Sequence, residues 1–148
     1  MLLHNTEIAI PGGSVDLRSI VSGFSLDTTT IITGFNLKTK KLVEKELAST
    51  RKSSSKELVY IEVSTDEHLI ITPDHRVFDL DHDKFIRACD LNKGSKLQHV
   101  MSEPCEVTDI HMIRNDSLQD TYTLTVAECE NFFASSVLVH NHKEVHRG

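Results

Sequence analysis

The chain has 148 residues and a formal net charge of −6, from 16 Lys and Arg, 22 Asp and Glu and neutral His. That balance argues against nucleic acid as the main partner, because a phosphate-binding face needs clustered basic residues. No apolar run reaches the ~18 residues of a membrane span, and the opening Met1-Leu-Leu-His-Asn-Thr-Glu7 turns polar too soon for a signal peptide.

A chain of this size is most simply one domain, able to bury roughly two-thirds of its unfolded surface. Cys89, Cys105 and Cys129 are odd in number and lack CxxC spacing, so neither a disulfide framework nor a zinc knuckle follows, and a reducing, intracellular setting is favoured.

In chain order, Leu17-Arg-Ser-Ile-Val21 before Gly23 predicts a short helical turn with a glycine exit. Asn36-Leu-Lys-Thr-Lys-Lys41 can turn a hairpin, and the basic residues between Lys38 and Arg51, interrupted by Glu44 and Glu46, read as its solvated face. Residues 48–56, with Ser53-Ser54-Ser55, and residues 114–120 carry the composition of loops. Glu57-Leu-Val-Tyr-Ile-Glu-Val63 is a strand by alternation and β-branched content, and Val77-Phe-Asp-Leu80 repeats the habit. Residues 86–91 before Gly94 predict a second helical turn. Tyr122-Thr-Leu-Thr-Val126 alternates again, with Tyr122, Leu124 and Val126 on one side and the threonines on the other; Val137-Leu-Val139 is the last strand. The expected fold class is all-β with a few short helical turns. A faint repeat, Ile20-x-x-Gly23-x-x-Leu26 against Leu91-x-x-Gly94-x-x-Leu97, predicts two similar halves.

His140-Asn141 carries chemistry. An asparagine side-chain nitrogen can attack its own main-chain carbonyl, closing a succinimide and severing the bond that follows, while a histidine polarises the carbonyl or protonates the departing amine. By itself the dipeptide is a weak signal. Nine histidines, with His140, His142 and Glu144 sharing a face if extended, leave a metal-binding β-domain as an alternative.

Five stretches resemble one family. Leu2-Leu-His-Asn-Thr-Glu-Ile8 with Gly13 is similar to the opening block that follows a first cysteine. Thr72-Pro-Asp-His75 looks like a Thr-x-x-His motif, and the run from Arg87 through Gly94 to Leu97 looks like the block after it. Tyr122 to Phe133 and Val139-His-Asn141 look like two terminal blocks. Together, in this order, they resemble a mini-intein or bacterial-intein-like domain of the Hint (Hedgehog/intein) superfamily.

The resemblance implies a horseshoe-like β-fold with pseudo-twofold symmetry and autocatalysis on the domain's own ends, without metal or organic cofactor. It implies an autoprocessing domain over residues 1–141 and a flanking tail over 142–148. The implied partners are its own flanking segments, with no nucleic acid and no membrane, and the domain is expected to act as a monomer. Met1 occupies the position of the nucleophilic Cys or Ser, and a thioether cannot perform the first acyl shift. Thr72 and His75 would activate the N-terminal scissile amide, Asn141 would cyclise, and His140 would assist once the backbone bends. The terminal block departs from the pattern at Thr123, where an aspartate is usual, and at Glu130, where a histidine is usual; Glu130 is either a base or a surface residue. His142 follows the scissile bond without the Cys, Ser or Thr that splicing needs, so cleavage is expected rather than ligation. Cys129 reads as a core thiol more readily than as a surrogate nucleophile. A catalytically inactive Hint scaffold, kept as an interaction or spacer module, is the other alternative.

Overall fold

The computed structural model describes residues 1–101 and 103–141. Strand β1 (Glu7–Ile10) returns as β2 (Gly13–Asp16) through Gly12, held at φ +85, where a side chain would be strained. Helix α1 (Leu17–Gly23) is the first expected helical turn. The Asp16 carboxylate caps it by accepting from Ser19 N–H at 3.2 Å, and Leu17 and Ile20 are its buried residues. Strands β3 (Ile31–Asn36) and β4 (Lys41–Val63) form the expected hairpin, with Asn36 Oδ1 accepting from Lys38 and Thr39 N–H. Next come β5 (His68–Ile71), β6 (Arg76–Asp79) and β7 (Lys84–Arg87), a 3-10 turn at Ala88–Asp90, and β8 (Lys96–Gln98). The chain continues through β9 (Pro104–Val126) and β10 (Asn131–Ala134) to β11 (Val137–His140).

The strands join in the order β2-β1-β10-β11-β6-β8-β9-β4-β3, with β5 on β4 and β7 on β6. The segment β8-β9-β4-β3 is palindromic: each of two 23-residue strands carries a short antiparallel partner near its N-terminal end. This is the pseudo-twofold plan expected from the resemblance, in an all-β fold.

Three local expectations are corrected. Residues 48–56 and 114–120 are not loops: they lie in β4 and β9 and pair with each other, Ser53 with Thr121 and Ser55 with Gln119. Much of this ladder is exposed on both faces, so burial imposes no apolar–polar alternation, and its serines and charges imitate a loop. The loop signal did mark an irregularity, because residues 115–118 stand against Lys56 alone before pairing resumes at Glu57–Arg114. Residues 86–91 divide between the end of β7 and the 3-10 turn. The Ile20/Leu91 repeat does not hold as structure either. Gly23 ends α1 while Gly94 needs φ +90, and Leu26 is 90% exposed where Leu97 is 0%.

One core gathers Leu2, Ile8, Leu17, Ile61, Leu124 and Phe132 among others, and a second packs Phe35, Phe78, Phe133 and Leu138. Asn131 fastens β10 to β3 with two hydrogen bonds to the Phe35 backbone: Oδ1 accepts from N–H at 2.8 Å, and Nδ2 donates to the carbonyl at 2.9 Å. Beside it Cys129 packs over Gly34, where an added Cβ would lie 2.5 Å from Sγ. Gly34→Ala should therefore destabilise the domain by about 1–3 kcal/mol through overpacking. Adding Cys129→Ala should recover most of that loss, as read by urea unfolding of the single and double variants.

Candidate functional site

The N-terminal residues are pinned by Leu2. It is fully buried and bridges β5 at Ile71 and β9 at Tyr122, exchanging both backbone hydrogen bonds with Tyr122 at 2.8 Å. That fixes Met1 at the end of β5, where Thr72 N–H donates to Met1 O at 2.7 Å and the Met1 amine donates to Thr72 Oγ1. The Thr121 hydroxyl reaches Met1 Sδ at 3.6 Å. Thr72 thus sits at the first residue's nitrogen.

After Thr72 the chain turns tightly, with His75 N–H donating to Thr72 O at 3.2 Å. Backbone bonds from Ala88 to His75 and from Cys89 to Pro73 tie this turn to the 3-10 segment. His75 leaves the turn towards the other end of the domain. Its Nε2–H donates to His140 O at 2.8 Å, which sets the Nε2-protonated tautomer or the imidazolium.

His140 closes β11, which is paired to β10 from Asn131–His140 to Ala134–Val137. The Phe85 ring meets the imidazole edge-on, centroids 4.8 Å apart, and braces it. His140 Nδ1 lies 2.8 Å from Asn141 O, so the bend needed to bring imidazole and carbonyl together is present. Asn141 itself is buried and held at two points: its N–H donates to Glu130 O at 2.9 Å, and Nδ2 donates to Val126 O at 3.0 Å. Its Oδ1 has no hydrogen-bond partner among the described residues.

Glu130 is exposed and adopts φ +58; its carbonyl, rather than its carboxylate, is the group in contact with Asn141. His142 lies outside the described residues, as does Glu144 of the metal-site alternative. Among the described residues no cluster of three His, Cys, Asp or Glu side chains is placed to hold a metal ion. Cys129 is half-buried against Gly34 and the core and does not line the cleft.

Met1, Thr72, His75, His140 and Asn141 share a cleft of about 420 Å³, closed on one side by Arg51 and Ser53 of β4. A larger cleft of about 1040 Å³, walled by Ile10, Leu42, Glu67 and Met101, holds none of these groups, so chemistry rather than volume marks the site. Sequence reasoning missed the wall formed by β4 because it read that stretch as a loop. It also missed the carbonyls of Val126 and Glu130, because main-chain acceptors leave no residue signature.

Burial lowers the pKa of the Met1 amine from 8.0 to about 5, with the Asp74 charge opposing. Between those values the unfolded chain binds a proton that the folded chain does not. Stability is therefore full above pH 8 and falls as the pH drops towards 5, by about 4 kcal/mol in all. Urea midpoints measured across that window on a polypeptide beginning at Met1 should rise with pH. Adding a residue ahead of Met1 converts the amine to an amide and should flatten this component.

The pretoxin HINT domain model matches residues 24–142. Among solved structures, the bacterial intein-like domain from Clostridium thermocellum is similar at 23% identity and a TM-score of 0.84, over 95% of this chain and 97% of that one. The DnaB intein from Synechocystis sp. PCC 6803 is 17% identical with a TM-score of 0.80, over 96% and 98%. The PabCDC21-1 intein is 21% identical with a TM-score of 0.79, over 95% and 97%. At these identities the structural likeness speaks to the fold. No curated protein matches the sequence. On the family match, which spans most of its length, the chain belongs to the pretoxin HINT domain family, within the Hint superfamily.

Proposed function

We propose that residues 1–141 form a single-turnover self-cleaving domain that cuts after Asn141 by cyclisation of that asparagine, releasing whatever follows. The observation that carries this reading is the hold on Asn141. Its amide nitrogen is fixed by Val126 O, its backbone N–H by Glu130 O, and its carbonyl oxygen by His140 Nδ1.

Nδ2 attacks the Asn141 carbonyl carbon, and negative charge develops on an oxygen that already faces the His140 imidazole. The new C–N bond closes the succinimide and the bond to His142 breaks. One proton leaves Nδ2 and one is gained by the departing His142 nitrogen. His75 anchors the preceding carbonyl and so limits movement of the reacting peptide. Met1 leaves the N-terminal acyl shift without its nucleophile, and His142 leaves splicing without an acceptor; cleavage at the C-terminal junction is what remains. The family's pretoxin name fits a domain that frees a downstream segment from its precursor. The partners are then the chain's own flanks.

Incubation of the full chain followed by intact-mass measurement tests this. Loss of residues 142–148 supports it, and an unchanged mass after prolonged incubation would favour the inactive scaffold.

A further inference from the structure

The cleavage makes no use of the larger cleft, of about 1040 Å³. Ile10, Leu42, Ile70, Val100 and Met101 line it, and Leu42 and Met101 are left 48% and 75% exposed. Its acids are Glu7, Glu44, Asp66 and Glu67, and among the described residues no lysine or arginine lines it. Two of these carboxylates are held in place. Glu67 accepts from His99 Nε2–H at 2.6 Å and from the Thr65 hydroxyl at 2.7 Å, and Glu7 accepts from the Ser14 hydroxyl at 2.9 Å. One wall of the cleft is an open sheet edge. Strand β5 pairs with β4 on one side, and on the other it carries only the isolated bridge from Leu2 to Ile71. Thr72 N–H points away from β4, to Met1 O, so by the period of two the N–H groups of Ile70 and His68 point away from β4 as well. Ile70 and His68 both line the cleft.

An open strand edge takes up an extended peptide by main-chain hydrogen bonding, and the side chains around it select which peptide. We propose that the larger cleft docks an extended basic segment of a separate polypeptide, laid along β5 as an added strand. Side chains of such a strand alternate between two sides, so the segment that fits has lysine or arginine alternating with valine, isoleucine or leucine. The apolar row covers Leu42 and Met101, which otherwise stand in solvent. The basic row answers the four carboxylates, which repel an acidic segment and steer a basic one. The same charge disfavours a second copy of this chain, whose net charge is −6. Met1 and Asn141 both lie in the smaller cleft, so the chain's own flanks leave the domain there and the larger cleft is assigned to another polypeptide. This inference stands apart from the cyclisation proposed above.

The test uses a fluorescent synthetic peptide alternating lysine with valine and isoleucine, titrated with the full chain and read by anisotropy. It should bind saturably and more weakly as salt rises, while the same peptide with glutamate in place of lysine should not bind. Glu44→Lys and Met101→Ser, both at exposed positions, should each weaken binding about tenfold and leave the urea midpoint of the chain unchanged. A peptide methylated at its backbone nitrogens keeps the charge but loses the strand's donors, and it should bind at least about tenfold more weakly. No saturable binding of the lysine peptide would overturn the proposal. Equal binding of the glutamate peptide would overturn the charge argument with it, and equal binding of the methylated peptide would remove β5 as the docking edge. Binding that survives both substitutions would place the peptide elsewhere on the surface and also overturn it. Sedimentation of the chain alone covers the remaining occupant: a dimer dispersed by Met101→Ser would give the cleft to a second copy instead.

Discussion

Asn141→Ala should abolish release of residues 142–148 under every mild condition that permits it in the parent chain. The effect is expected to be the largest of any substitution because, in the proposed cyclisation, this side chain supplies the nucleophile. Holding Nδ2 beside its own carbonyl replaces a bimolecular encounter, and such proximity is worth about 7–11 kcal/mol. Here the hold is visible in parts: Val126 O fixes the amide at 3.0 Å and Glu130 O fixes the backbone at 2.9 Å. Asn141→Gln is the sharper control. It keeps an amide in the pocket but lengthens the ring to be closed and displaces the nitrogen from Val126 O, so it too should leave the mass unchanged. Both chains should remain folded, since neither substitution touches the cores built around Leu2 and Phe133.

His140→Ala should slow the same cleavage by about 10²–10³, the cost of removing one donor from a developing oxyanion. Its Nδ1 lies 2.8 Å from the Asn141 carbonyl oxygen, and the edge-on Phe85 ring leaves it little freedom to turn away. The measurement is the first-order rate of product appearance by intact mass. A His140→Ala chain that cleaves at the parent rate would remove the imidazole from the reaction and leave Asn141 to cyclise on backbone contacts alone. Phe85→Leu should fall between the two, because it removes the brace and keeps the donor.

The strands at Glu57–Val63 and Tyr122–Val126 were legible because alternate residues enter the core and write a period of two into the sequence, while Val137–Val139, buried on both faces, was legible as a short continuous apolar run. The ladder between them was not. With much of both faces in solvent, Ser53, Ser54 and Ser55 carry the composition of a turn while pairing with Thr121, Asp120 and Gln119. Only the partner strand, about 65 residues away in sequence, determines that conformation. At Thr123 the alternation gave the wrong environment: its face of the strand was read as the polar side, yet the residue is fully buried.

The candidate site divides in the same way. Thr72, His75, His140 and Asn141 were readable as motif residues, and the structure brings them to one cleft with Met1. What those motifs did not contain is the division of labour within Thr72-Pro-Asp-His75. Thr72 meets Met1, while His75 reaches across to the carbonyl before Asn141, so one tight turn touches both ends of the domain. The Val126 and Glu130 carbonyls were invisible for a simpler reason: any residue supplies a carbonyl, and only the fold aims it. At Glu130, read from the sequence as either a base or a surface residue, the left-handed backbone presents the acceptor to Asn141 while the side chain lies exposed.

The most direct test of the account is the mass of the N-terminal product formed when the parent chain is incubated and sampled early. Cyclisation predicts a fragment spanning residues 1–141 that is one water lighter than the free acid, and that gains hydroxylamine on trapping. A fragment bearing only a free Asn141 carboxylate from the earliest time point would contradict it, as would a chain that keeps residues 142–148 throughout.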